Sequence, residues 1–201
     1  MKIRYFIRKS CPILSASLIS IATVGFLLIQ NVYSNRITEL ETLISKMITN
    51  YYSAQTFSFR SNECIRHTDL LKNDIDIFVY LNANKDIVNR KQEFLLDRAR
   101  TAVIWATNSS LRSEMIDQKE ADKVFYGINK ILSPEEIALL YKNYQQKAKD
   151  GINKFRKDIL KNESELGTVK NVRNWLWYIC FVFQSFGMLL AFAALLYKNE
   201  V

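Results

Sequence analysis

The sequence predicts an all-α membrane protein in which two transmembrane helices bracket an up-and-down bundle of four to five helices, the first and last of them coiled-coil-like. Three observations lead there. Two uncharged hydrophobic runs, Ser10 to Asn35 and Asn174 to Tyr197, lie at opposite ends of the 201-residue chain. Each exceeds the about 20 apolar residues with which a helix crosses hydrocarbon while pairing every backbone group inside its own segment. Only five Gly and two Pro occur, too few for the tight turns that join strands. Between the runs, apolar residues recur by threes and fours, which is the helical period.

These observations divide the chain into a basic tail (1–10), a first span (11–30), a bundle domain (31–173), a second span (174–197) and a short tail (198–201). The tail carries Lys2, Arg4, Arg8 and Lys9 with no acid. Positive charge beside a span tends to stay in the cytoplasm, so both termini are expected inside and the bundle outside the cytoplasm, at the plasma (inner) membrane. The flank of the second span disagrees, because Arg156, Lys157, Lys161, Lys170 and Arg173 precede it. Val32-Tyr33-Ser34 loosely fits a signal cleavage site. The apolar stretch from Pro12 to Ile29 nevertheless outruns the usual ~7–15-residue signal core, so a retained anchor is expected.

From Ile37 the residues Ile37, Leu40, Ile44, Met47, Tyr51 and Ala54 form a heptad seam. Nothing between Ile29 and Ile37 breaks a helix, so the first span should continue into it. A helix from Asn62 to about Leu81 carries Leu71, Ile75 and Phe78, and Leu81-Asn82-Ala83-Asn84-Lys85 reads as a turn, since Asn tolerates left-handed backbone. Further helices are expected from Lys85 to about Met115 (Leu96, Ala99, Val103, Ala106) and from Lys119 to Leu132 (Ala121, Val124, Ile128, Ile131). Ser133-Pro134-Glu135-Glu136 then starts the last helix, with Ser133 as N-cap and Glu136 closing a capping box. Its face runs through Ile137, Leu140, Tyr144, Ala148, Ile152, Phe155 and Ile159, with Gly167 the one plausible break. Trp175, Trp177, Tyr178 and Tyr197 bracket the second span as aromatic residues of the two membrane interfaces.

Residues 31 to 174 hold 23 basic and 19 acidic side chains, a mixed helical surface that argues against nucleic acid despite the formal charge of +8. Cys11, Cys64 and Cys180 include no pair that staples the middle domain. Cys64 and His67 share a helix face, but zinc needs three or four ligands and His67 is the only histidine. No metal, cofactor or catalytic group is expected, and the chain reads as a non-enzyme.

Two sets of residues remain as sites. Arg98 and Arg100 interrupt an apolar helix ahead of Trp105, and a guanidinium beside a bundle core can hold a carboxylate ligand through paired hydrogen bonds. Ala16 with Ser20, and Gly187 with Ala191, are small-residue pairs four apart that let span helices approach closely. No ionisable residue lies in either run, which argues against transport.

Two spans around a helical bundle resemble, at the level of architecture, the ligand-binding half of bacterial chemoreceptors and sensor kinases with four-helix-bundle input domains. That resemblance implies an extracytoplasmic sensory or protein-interaction module. With about four residues after the second span, a signal would pass laterally to a separate membrane subunit. The alternatives are a structural or scaffold subunit of a membrane complex, its bundle cytoplasmic in the inverse topology, and an oligomeric pore-forming effector. The expected partners are the lipid bilayer and either further copies of the chain or another membrane subunit.

Overall fold

The computed structural model describes residues 2–82, 84–130 and 133–198, with side chains from residue 9 to residue 196 of those ranges. The side chains of Lys2, Arg4, Arg8 and Tyr197, and all of Ala83, Ile131 and Leu132, lie outside the described residues. What is described is helical, with no strand. Helix α1 (Lys2–Leu28) passes through a π-helical stretch (Ile29–Ser34) into α2 (Asn35–Tyr80); α3 (Lys85–Arg112) and α4 (Gln118–Gly127) follow. A short 3-10 turn (Ile128–Lys130) precedes α5 (Pro134–Lys198).

Two expectations about element boundaries are corrected. The helix expected from Asn62 is the second half of α2, because Phe57, Ser58 and Ser61 pack inward and no turn residue separates it from the seam before it. Gly167 does not end the last helix, since a lone Gly in a helix interior costs only about 1 kcal/mol. Four helical stretches therefore make up the described chain, the first and last far longer than the rest.

The turns obey local chemistry. Asn82 adopts the expected left-handed backbone, with φ 52°. Asn84 caps α3 by accepting the Asp86 N–H at 2.9 Å, and Asp117 caps α4 by accepting the Glu120 N–H at 2.7 Å. Ser133 Oγ accepts the Glu136 N–H at 3.4 Å, as an N-cap does, and donates to the Glu135 carboxylate at 2.9 Å.

The chain forms two compact units, Ser45–Leu160 and Met1–Ile44 with Lys161–Val201. In the first, Val103, Ala106, Ile116, Ala121, Ile128, Ile137 and Tyr144 form a core joining α3, α4 and α5. In the second, α1 and α5 pack antiparallel, Phe26 against Trp177 with ring centroids 4.6 Å apart. Ile37 and Leu40 are buried there. Beside them Arg36 pairs with Glu165 at 2.5 Å and Lys170 with Glu41 at 2.7 Å, opposite senses of charge across the same helix pair. The windows of highest hydropathy in this unit are only 17% and 11% buried. Both helices are long and apolar enough to cross a membrane.

Candidate functional site

In the Ser45–Leu160 unit, small residues set how closely α2 and α3 approach. Ala54 and Ser61 on α2 and Ala102, Ala106 and Ser109 on α3 are fully buried. The hydroxyl of Ser61 donates to the Ala102 carbonyl at 2.7 Å, and that of Ser109 donates back to the Ala54 carbonyl at 2.7 Å. Ser110 makes the equivalent bond to the Tyr144 carbonyl of α5 at 2.7 Å. Each serine is short enough to reach a neighbouring backbone, and each bond satisfies a hydroxyl that burial would otherwise leave costly. Sequence periodicity marks Ala54 and Ala106 as inward-facing but not the serines. Their hydroxyls as interhelical bonds were not legible.

This packing decides what the predicted ligand residues do. Trp105 lies stacked on Phe57, centroids 5.4 Å apart, with the Arg60 guanidinium 4.9 Å above its ring. Arg98, two helical turns before Trp105 on the same face, sits 5.0 Å over the Phe94 ring and beside the Cys64 thiol. Arg100 is two positions on and so turns away from that face, and the structure does not bring the three residues together around one point. Arg98 and Trp105 are instead engaged in the α2–α3 contact, where cation–aromatic contacts contribute about 0.5–1 kcal/mol at exposed sites. Cys64 is buried and His67 exposed, so thiol and imidazole occupy different environments. Burial pushes the Cys64 thiol above its ordinary pKa, and Arg98 opposes that shift. Among the described residues no group of three His, Cys, Asp or Glu is placed to hold a metal ion.

A polar network sequence reading missed joins α2 to α5. Tyr141 donates to Asn62 Oδ1 at 3.0 Å, and Gln145 Nε2 donates to the same oxygen at 2.9 Å and to Ser58 Oγ at 3.3 Å. Gln145 Oε1 is buried without a partner. On the α4 side, Glu120 Oε1 accepts from Tyr144 at 3.1 Å and Lys147 at 2.6 Å. Burial first, and the Glu120 carboxylate second, push the Tyr144 phenol up to about 12. Near the start of α5 a cleft of about 280 Å³ opens, lined by Ile65, Thr68, Leu96 and Ile137, with Asp69 and Lys72 also on its wall.

The opposite face of α2 is uncovered. Tyr52, Phe59, Leu70 and Ile77 are 61%, 66%, 58% and 57% exposed. With Thr56, Glu63, Arg66 and Asn73 they recur by fours and threes, a second heptad seam pointing away from the buried Ala54, Ser61, Thr68 and Ile75.

In the other unit, Cys11, Ser15, Ala22 and Ile29 are buried and Leu18 and Gly25 half-buried, again a four-three repeat. A Cβ at Gly187 would lie 2.8 Å from Ile19 and 3.2 Å from the Ser15 carbonyl, and one at Gly25 would lie 2.6 Å from the Cys180 sulfur. Of the predicted helix-association residues, Gly187 sits at this close approach. Ala16 and Ala191 line a cleft of about 560 Å³ with Pro12, Ser15 and Ile19, and Ser20 is exposed. Trp175 and Tyr178 meet edge to face at 6.2 Å, and both are exposed together with Trp177. No family model, curated protein or solved structure matches the chain.

Proposed function

We propose that this chain is a two-span integral membrane protein whose unit between the spans is a non-enzymatic module for engaging another protein. One observation carries the membrane part. Ile13, Leu14, Ile21, Val24 and Leu27 on α1, and Phe181, Phe186, Leu189, Phe192 and Leu196 on α5, all point outward. Large contiguous apolar surface of that kind mismatches water and matches lipid chains. Trp175, Trp177 and Tyr178 suit the boundary where hydrocarbon meets headgroups. The basic tail favours cytoplasmic termini and an extracytoplasmic bundle.

The interaction role is supported by the uncovered seam on α2, which offers a helical partner apolar anchors at heptad spacing. The cleft beside Asp69 and Lys72 favours a second reading, in which the same bundle senses a small polar ligand. Carbonate extraction should leave the chain in the membrane pellet, and release of intact protein into the supernatant would defeat the membrane reading. For the bundle, crosslinking in intact cells should capture a protein through α2. Capture that persists unchanged in a Phe59→Asp, Leu70→Asp variant would instead place the contact elsewhere and favour the cleft.

A further inference from the structure

We propose that the exposed seam of α2 pairs with the same seam of a second copy, the two helices running antiparallel. The seam is Tyr52, Thr56, Phe59, Glu63, Arg66, Leu70, Asn73 and Ile77, extending over about 37 Å of helix at 1.5 Å per residue. Its order is self-complementary about a midpoint between Cys64 and Ile65. Turned end for end, Tyr52 falls opposite Ile77 of the second copy, Thr56 opposite Asn73, Phe59 opposite Leu70 and Glu63 opposite Arg66. Every layer then matches in character: aromatic on aliphatic twice, hydroxyl on carboxamide, and anion on cation.

Charge chooses the direction. A parallel pair in register would stack Glu63 on Glu63 and Arg66 on Arg66, placing like charges at two neighbouring layers in the middle of the seam. The antiparallel pair replaces both repulsions by two equivalent attractions, as a two-fold isologous interface requires. Glu63 and Arg66 already meet within one chain at 2.9 Å, so their charged groups stand together at the centre of the exposed face. The polar Thr56 and Asn73 layer resists slippage, because a one-heptad shift sets Thr56 against Arg66 in one sense and Asn73 against Glu63 in the other.

The proposal rests on reading the bundle as an interaction module and names its partner. The test uses the full chain in mild detergent, with Phe59→Cys and Leu70→Cys variants carrying different tags and the wild type as control, since its own three cysteines are buried. Mild oxidation of the mixture should give the mixed 59–70 crosslink at least tenfold over the 59–59 product. A dominant 59–59 product means a parallel pair and overturns the proposal. Glu63→Arg should weaken dimerisation about tenfold or more, and the double exchange Glu63→Arg with Arg66→Glu should restore it; failure to restore it in a variant of unchanged helicity also overturns it. A chain that stays monomeric yet copurifies with a different membrane protein defeats self-pairing and leaves the interaction reading standing.

Discussion

Adding a methyl group at Gly151 should destabilise the bundle, whereas the same change at Gly127 or Gly167 should stabilise the chain. A Cβ built at Gly151 lies 2.5 Å from the Ser113 Cβ and 2.6 Å from the Met115 Cγ, where carbon atoms prefer about 3.5–4.0 Å. Ser113 cannot simply step aside. It is 1% exposed, and its hydroxyl donates to the Ser110 carbonyl at 3.1 Å in the last turn of α3. Overpacking of this kind costs about 1–3 kcal/mol, set against about 0.5–1 kcal/mol gained when Ala replaces a helical Gly. The difference for Gly151→Ala spans about 0–2.5 kcal/mol, and contacts below 3 Å with both Ser113 and Met115 put it in the upper half of that range. At Gly127 and Gly167 nothing lies within 4 Å of the added atom, so only the gain remains. With about 2–4 °C per kcal/mol in a chain of this size, Gly151→Ala should melt several degrees below the wild type, and the other two slightly above it. Far-ultraviolet circular dichroism of the full chain in mild detergent reads the difference. A Gly151→Ala melt at or above that of the wild type would refute the close approach of α5 to the end of α3.

Other perturbations probe separate parts of the molecule. Glu114 holds φ 59°, with its N–H donating to the Leu111 carbonyl and the next N–H to the Ser110 carbonyl, a helix ending that favours Gly; Glu114→Gly should raise stability by up to about 1 kcal/mol in a denaturant titration. Because the folded Tyr144 phenol is raised above its ordinary value near 10 to about 12, its contribution is whole below pH 10 and is lost as pH climbs from 10 towards 12. Tyr144→Phe should flatten that alkaline slope, and a slope unchanged in the variant would assign it elsewhere. Leu40 is 2% exposed, so Leu40→Ala should cost about 2–5 kcal/mol in thermal melts without changing mass in sedimentation; an unchanged melt with a lost oligomer would mean that Leu40 faces a partner chain.

How much of this is legible in the sequence depends on the range of the interaction concerned. Turn and cap chemistry acts within a few residues, so Asn82 in left-handed backbone and Ser133 at the start of α5 could be read directly from the chain. Helical periodicity likewise placed Ile37, Leu40, Ile44, Val103, Ala106, Tyr144 and Ala148 inward, and all of them are buried. Periodicity says which residues face inward but not what they meet. It marked Arg98 and Arg100 as interruptions of an apolar helix ahead of Trp105, yet Phe57, Arg60, Cys64 and Phe94, which engage Arg98 and Trp105, come from other turns and another helix. In the apolar runs, small residues four apart occur in several registers. Only the approach of α5 distinguished Ser15, Ala22 and Gly25 from Ala16 and Ser20.

The sequence by itself determined the all-helical class, the two apolar runs and the inward seams, because hydrophobic length, scarcity of Gly and Pro, and a 3.6-residue period are properties of the chain alone. Only the tertiary structure decided which face of α2 remains uncovered, which serines bridge helices and which glycines sit at contact. Those depend on the direction from which a second helix approaches, and no single helix carries that information.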